Sequence, residues 1–247
     1  MRVALTRPST AGLGDALIAN GAEVVHVPLI AIGPPPDGGA ELAGALAQLG
    51  RFEWLVVTSP NGVRAVTDHV DLAGVAVRLA AVGPATGRAL AIAARRSIDL
   101  LPTDPRGEGL VAEFPPGTAR VLVAQADRAA PTVVDGLRAA GHEVRAVTAY
   151  VTTTRRPTDE ELRRLRGVDA VLLASPSAVE GWCRAVEPAV ADRVRPLIVA
   201  IGPTTAAAAA TAGIGPDAVA ETPDADGVMA ALARAPGTRS DARRATP

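Results

Sequence analysis

Eight short apolar runs recur along the chain: VALT, EVVHV, WLVVT, LAAV, RVLVA, EVRAV, AVLLA and LIVAI. They are continuous rather than alternating, the pattern of parallel strands covered on both faces. Ala-, Leu- and Arg-containing stretches of helical length lie between them, at 60–70, 84–94, 130–140 and 203–212. Alternation of strand and helix predicts an α/β fold with parallel sheets. Two weaker runs, IDLL (98–101) and DAVAE (217–221), are expected to add edge strands.

The pattern repeats. WLVVTSPNGVRAV (54–66) resembles AVLLASPSAVEGW (170–182), AAVGPATGRALA (80–91) resembles VAIGPTTAAAAA (199–210), and PTDPRGEGLV (102–111) has a looser counterpart in TPDADGVM (222–229). A fourth pair breaks the order: RVAL…LIANGAEVVHVPL (2–29) resembles RVLV…LRAAGHEVRAVTA (120–149). Two similar lobes arise only if the N-terminal segment joins the C-terminal ones. The expectation is a discontinuous lobe of 1–31 plus 155–235 and an inserted lobe of 35–149. Each would hold a five-stranded parallel sheet flanked by helices. The crossings at 27–36 and 146–155 are rich in β-favouring residues and are expected to pair as a two-stranded ribbon. The aperiodic end, 236–247, is expected to be a disordered tail.

Four of the predicted strands end in a small residue followed by proline. Proline suits the first helical position, and Ser or Gly suits the position before it. Ser59-Pro60, Gly83-Pro84, Ser175-Pro176 and Gly202-Pro203 therefore read as helix starts at the carboxyl ends of parallel strands, where open α/β sheets bind ligands. Free backbone N–H groups and the positive end of the helix dipole favour anions there. Thr86 and Thr205 fall two residues after their prolines, with hydroxyls expected to be available in the first turn; Asn61 and Ser177 occupy similar places. Arg7, after the first strand, is a candidate carboxylate ligand. Two lobes with two such turns each would face one another and suit a large, multiply anionic ligand.

Composition narrows the chemistry. Of 247 residues, 2% are aromatic and the net charge is −1, which argues against base stacking and charge-driven nucleic-acid binding. All 25 basic residues are arginine, so neither a lysine Schiff base nor a phosphate-clamping lysine can exist. The single cysteine, Cys183, cannot form an internal disulfide and reads as a small buried hydrophobe. His26, His69 and His142 show no metal-ligand spacing, and His142, in the Gly141 turn, reads as satisfied at a helix end. No Gly-rich dinucleotide loop or nucleophile elbow is present. Neither metal nor nucleotide cofactor is expected, and no apolar stretch approaches the ~18 residues of a membrane span. With no room for a signal sequence before VAL, a cytoplasmic protein is expected, and nothing in the chain suggests more than a monomer.

The ordered set TRP (6–8), VTSPNGV (57–63), AVGPAT (81–86), GHEVRAVTAY (141–150), ASPS (174–177) and AIGPTTA (200–206) resembles the uroporphyrinogen-III synthase family, from about residue 3 to residue 233. The resemblance implies two α/β lobes joined by a β ribbon. It also implies a cofactor-independent lyase that cyclises the linear tetrapyrrole hydroxymethylbilane, with inversion of the last ring and loss of water. Tyr150, the only tyrosine, matches the tyrosine proposed to help the hydroxyl depart. Thr86 and Thr205, with Thr204 beside the latter, match threonines of the family's binding cleft. Ser59, Ser175 and Ser177 match its Ser-Pro turns, Asn61 joins them, and Arg128 stands near a loop that carries an arginine in relatives. Ala174 replaces a common threonine. The competing reading is a non-catalytic two-lobed module that senses tetrapyrroles or another anion.

Overall fold

The eight apolar runs, the weaker run DAVAE and part of the first crossing form ten strands, and the stretches between them ten helices, among described residues 1–10, 12–186 and 195–235 of the computed structural model. The tail expected at 236–247 lies outside these residues. The chain divides into two compact units, one of Met1–Ala31 with Thr153 onward, the other of Ile32–Thr152.

The first unit is built on β1 (Arg2–Leu5), β2 (Glu23–His26), β8 (Ala170–Leu173), β9 (Leu197–Ala200) and β10 (Ala218–Val219). They form one sheet in the order β10-β9-β8-β1-β2, with every pairing parallel. All four residues of β8 are buried, because helices cover both faces. Val171 and Leu173 pack with Leu165 of α7 (Asp159–Leu165), Val179 and Trp182 of α8 (Pro176–Ala185) and Ala209 of α9 (Pro203–Thr211). On the other face Leu172 meets Leu13 and Leu17 of α1 (Leu13–Ala19) and Val228 and Leu232 of α10 (Ala225–Arg234). Each such Leu or Val contributes about 1.5–3 kcal/mol by leaving water.

The second unit is built on the sheet of β3 (Ile30–Gly33), β4 (Trp54–Val57), β5 (Arg78–Ala81), β6 (Arg120–Ala126) and β7 (Glu143–Thr154), in the order β3-β7-β6-β4-β5, with β3 and β7 each running two residues past the unit's bounds. Leu55 and Val57 face α2 (Ala40–Leu46), α3 (Pro60–Thr67) and α4 (Pro84–Ala94), while Trp54 and Val56 face α5 (Gly107–Glu113) and α6 (Thr132–Ala139). β4 to β7 are parallel, but the sheet as a whole is mixed, a correction to the all-parallel expectation. Its fifth member is not IDLL. That segment makes only an isolated bridge, Ala80 to Leu100, because the Asp99 carboxylate takes the Leu79 N–H that a longer ladder would use. The fifth strand is β3, from the first crossing, bonded to β7 from the second. The crossing pair is thus an edge of this sheet.

One side chain differs from its expectation. His142 packs edge-on against Phe114 with its ring Nδ1 buried and unpartnered; only its backbone N–H, donating to Leu137, is satisfied as a helix end. Cys183 is half-buried beside the α7–α8–α9 core.

Candidate functional site

At the carboxyl edge of the second unit's sheet, Ser59 ends β4 in an extended conformation and caps α3. Its Oγ accepts from the Gly62 N–H at 3.1 Å, with Pro60 at the first helical position. Asn61 is half-buried, and its Oδ1 accepts from the Arg64 guanidinium at 2.9 Å. The neighbouring strand β5 ends in Gly83, and α4 starts at Pro84. Thr86 in its first turn is only 4% exposed. The residue as a whole is nearly buried, but its hydroxyl oxygen is not, so the hydroxyl remains available as expected; no hydrogen bond engages it among the described residues. A small residue is needed around Ser59, since a Cβ on Gly62 would meet Val57 Cγ1 at 3.0 Å.

The position of Tyr150 is set by an irregularity in β7. Val147 pairs with Ala124 and Thr148 with Gln125, but Ala126 pairs with Tyr150, leaving Ala149 extra. Side chains of a strand alternate between faces, so one inserted residue reverses the parity beyond it. Val144 and Ala146 pack on the α5–α6 face. Without the bulge Tyr150 would join them. With it, Tyr150 packs beside Val147 and Ala149 on the α3–α4 face, where Ser59 lies. The Ser59 and Tyr150 hydroxyls are hydrogen-bonded at 3.0 Å. No other hydrogen bond engages the phenol among the described residues.

The loop after β6 is tied to the same strand. Asp127 N–H donates to the Tyr150 carbonyl at 3.1 Å, and Asp127 Oδ1 accepts from Thr152 N–H. Arg128, exposed, has its Nε 3.9 Å from Asp127. The structure thus brings Ser59, Asn61, Thr86, Arg128 and Tyr150 to one edge of one sheet.

The first unit repeats half of this arrangement. Ser175 caps α8 by accepting from Ala178 N–H at 3.1 Å, with Ser177 half-buried in the first turn. Gly202 precedes Pro203 at the start of α9, Thr204 is exposed and Thr205 is 3% exposed with no hydrogen bond to its hydroxyl among the described residues. Arg7 follows β1, half-buried. Its carbonyl accepts from His26 Nε2 at 2.8 Å, and no acid pairs with its guanidinium among the described residues. These five lie at the carboxyl edge of the first sheet.

The arrangement has a clear chemical bias. Four helix starts offer backbone N–H groups and positive dipole ends to carboxylates. Two nearly buried threonines carry unspent hydroxyls, each a donor that a carboxylate could use. One phenol is bonded to Ser59 and to no other group among the described residues. Sequence reasoning missed the bulge and the Ser59–Tyr150 bond. Two partners 91 positions apart leave no local signal, and nothing in RAVTAY marks an extra residue.

Residues 12–230 match the family described as uroporphyrinogen-III synthase HemD. The chain is similar to uroporphyrinogen-III synthase of Synechococcus elongatus, 30% identical over 181 residues, which cover 68% of this chain and 67% of that protein. In fold it is similar to a mutant uroporphyrinogen III synthase of Thermus thermophilus, with a TM-score of 0.60 at 22% identity, covering 95% of this chain and 98% of that one. It is likewise similar to uroporphyrinogen-III synthetase of Helicobacter pylori, with a TM-score of 0.61 at 15% identity, covering 94% and 98%.

Proposed function

The chain belongs to the uroporphyrinogen-III synthase family, and we propose that it performs the ring closure expected of that family without a cofactor. The substrate is hydroxymethylbilane, a linear tetrapyrrole bearing eight carboxylates. Its terminal hydroxyl takes a proton and leaves as water, producing an electrophilic azafulvene. The last pyrrole ring attacks through its substituted carbon, forming a spiro intermediate. One bond of that intermediate breaks, the ring recloses inverted, and a proton is lost to restore the aromatic pyrrole. By mass balance one water leaves, which makes the enzyme a lyase.

The observation that carries this reading is the pair of nearly buried, unpartnered threonines, Thr86 and Thr205, each in the first turn of a helix that begins at a sheet's carboxyl edge. Neither hydroxyl has a partner in the protein, yet neither oxygen is fully buried, so each can still give its proton to a substrate carboxylate. Arg7, Asn61, Arg128, Ser175, Ser177 and Thr204 stand around these turns and would hold further carboxylates. Such a grip favours the productive fold of a flexible substrate, and positioning of this kind is worth several kcal/mol of barrier. Tyr150 would donate its free proton to the departing hydroxyl, a general-acid role. The test is incubation of the purified protein with hydroxymethylbilane and separation of the isomeric products. Type III uroporphyrinogen is expected; formation of the type I isomer alone, at the rate seen without protein, overturns the reading.

A further inference from the structure

We infer that Ser59 is a positioning residue rather than a substrate ligand: it spends its single proton on the Tyr150 oxygen and thereby leaves the phenol proton pointed at the reacting hydroxyl. This rests on Tyr150 being the proton donor of the reaction proposed above.

A serine hydroxyl has one proton and two lone pairs, and a phenol has one proton and an accepting oxygen. Ser59 Oγ already accepts from Gly62 N–H at 3.1 Å. We assign its own proton to the Tyr150 oxygen, 3.0 Å away. Ser59 is then saturated on the side that faces α3 and has no proton left to give a substrate carboxylate. Tyr150 receives one hydrogen bond and keeps its proton. A phenol that accepts a hydrogen bond is a better donor in turn, because linked hydrogen bonds polarise one another.

The turn does not demand this second contact. Ser175 makes the same cap to Ala178 N–H at 3.1 Å in a turn of the same backbone shape, with Pro176 where the second unit has Pro60. In the sequence repeat GAEVVHVPLI (21–30) aligns with GHEVRAVTAY (141–150), which sets Ile30 opposite Tyr150. An apolar side chain there can neither accept nor donate. The capping function is common to both units, and the donation to a phenol belongs to the second alone. The bulge at Ala149 points the same way, since it is what turns Tyr150 toward Ser59.

Three substitutions separate the roles of Ser59. Ser59→Ala removes cap and donor, Ser59→Thr keeps both, and Ser59→Asp keeps the cap but can only accept, so it draws the phenol proton inward. Tyr150 is the only tyrosine, so the tyrosine Raman doublet of unliganded protein reports this phenol alone. Expected are a shift of the doublet toward a donor-only phenol in Ser59→Ala, a stronger shift in Ser59→Asp, and the wild-type spectrum in Ser59→Thr. With hydroxymethylbilane, kcat should fall about tenfold in Ser59→Ala, a part of the ~100-fold to 10,000-fold that general acids supply. KM should move less than about twofold, and Ser59→Thr should recover the rate. A Ser59→Ala doublet identical to wild type overturns the inference, as does an increase in KM at unchanged kcat. Neither result touches the synthase reading, which fails only if wild-type protein makes no type III product.

Discussion

Two Ser-Pro turns of nearly the same backbone close β4 and β8, and they have been put to different uses. Ser59 (φ −155°, ψ 159°) and Ser175 (φ −168°, ψ 161°) each accept from the third N–H of the following helix at 3.1 Å. Either cap is worth about 1 kcal/mol to its helix. Only Ser59 also reaches a phenol. The second unit has a longer β6, a bulged β7 of 12 residues and a tyrosine at the bulge. The first stops its counterpart strands after four residues each, at Leu5 and His26. Under the proposed function, a duplicated scaffold would supply anion-binding turns twice, and a local insertion in one copy would add a proton donor.

The largest expected effect breaks the chemical half of this comparison. Tyr150→Phe should lower kcat by about 100-fold, the low end for a general acid, with KM nearly unchanged and the product still mostly type III. Unchanged turnover would reduce Tyr150 to an aromatic that packs the α3–α4 face.

The binding half is tested by the two threonines. Thr86→Val and Thr205→Val each replace the hydroxyl of a nearly buried residue by a methyl of similar volume, so folding should be little affected. Loss of a hydrogen bond to a charged group is worth roughly 1.5–3 kcal/mol, which predicts a rise in KM of about 10-fold to 150-fold for each and a smaller change in kcat. Equal effects would mean that both units grip carboxylates. An effect confined to Thr86→Val would place the whole grip in the second unit and leave the first unit's turn as a cap.

The smallest effect lies at the opposite, amino edge of the sheets, where carboxylates hold strand-starting N–H groups in both units. Asp169 accepts from Arg2 N–H, and Glu53 accepts from Arg120 N–H. Glu53 also takes the guanidinium of the same arginine, at 2.7 Å. That fork, followed by the backbone N–H, lowers the Glu53 pKa from 4.5 to about 2. Because the folded value lies below the unfolded one, the pair stabilises the protein fully above pH 4.5, and the contribution is lost as pH falls toward 2. Glu53→Gln should lower Tm slightly at pH 7, since the pair is solvent-screened, and the difference from wild type should shrink as pH drops below 4.5. A difference constant from neutral pH down to about pH 3 would mean that charge plays no part.

Much of this architecture could be read from the chain. The continuous apolar runs became strands buried on both faces, and all four Ser-Pro and Gly-Pro steps became helix starts with proline at the first position. These are local outcomes. A β-branched apolar run and a fixed proline φ narrow the backbone whatever surrounds them. The weak run IDLL was legible as extended chain but not as a non-strand, because its fate turned on whether Asp99 or a ladder partner took the Leu79 N–H. Thr86 and Thr205 were legible as first-turn residues, while their burial depended on what packs over the turn.

What the sequence determined by itself was the succession of strands and helices, the repeat, and the set of turns that gather donors at the carboxyl edges. Pattern period and capping preference act over a few residues and need no partner. What only the tertiary structure decided was the addition of β3 to the second sheet, the extra residue at Ala149, and the meeting of Ser59 with Tyr150. Each depends on register between strands distant in sequence. Register is settled by the packing of whole faces, where one inserted residue carries a side chain from one face to the other.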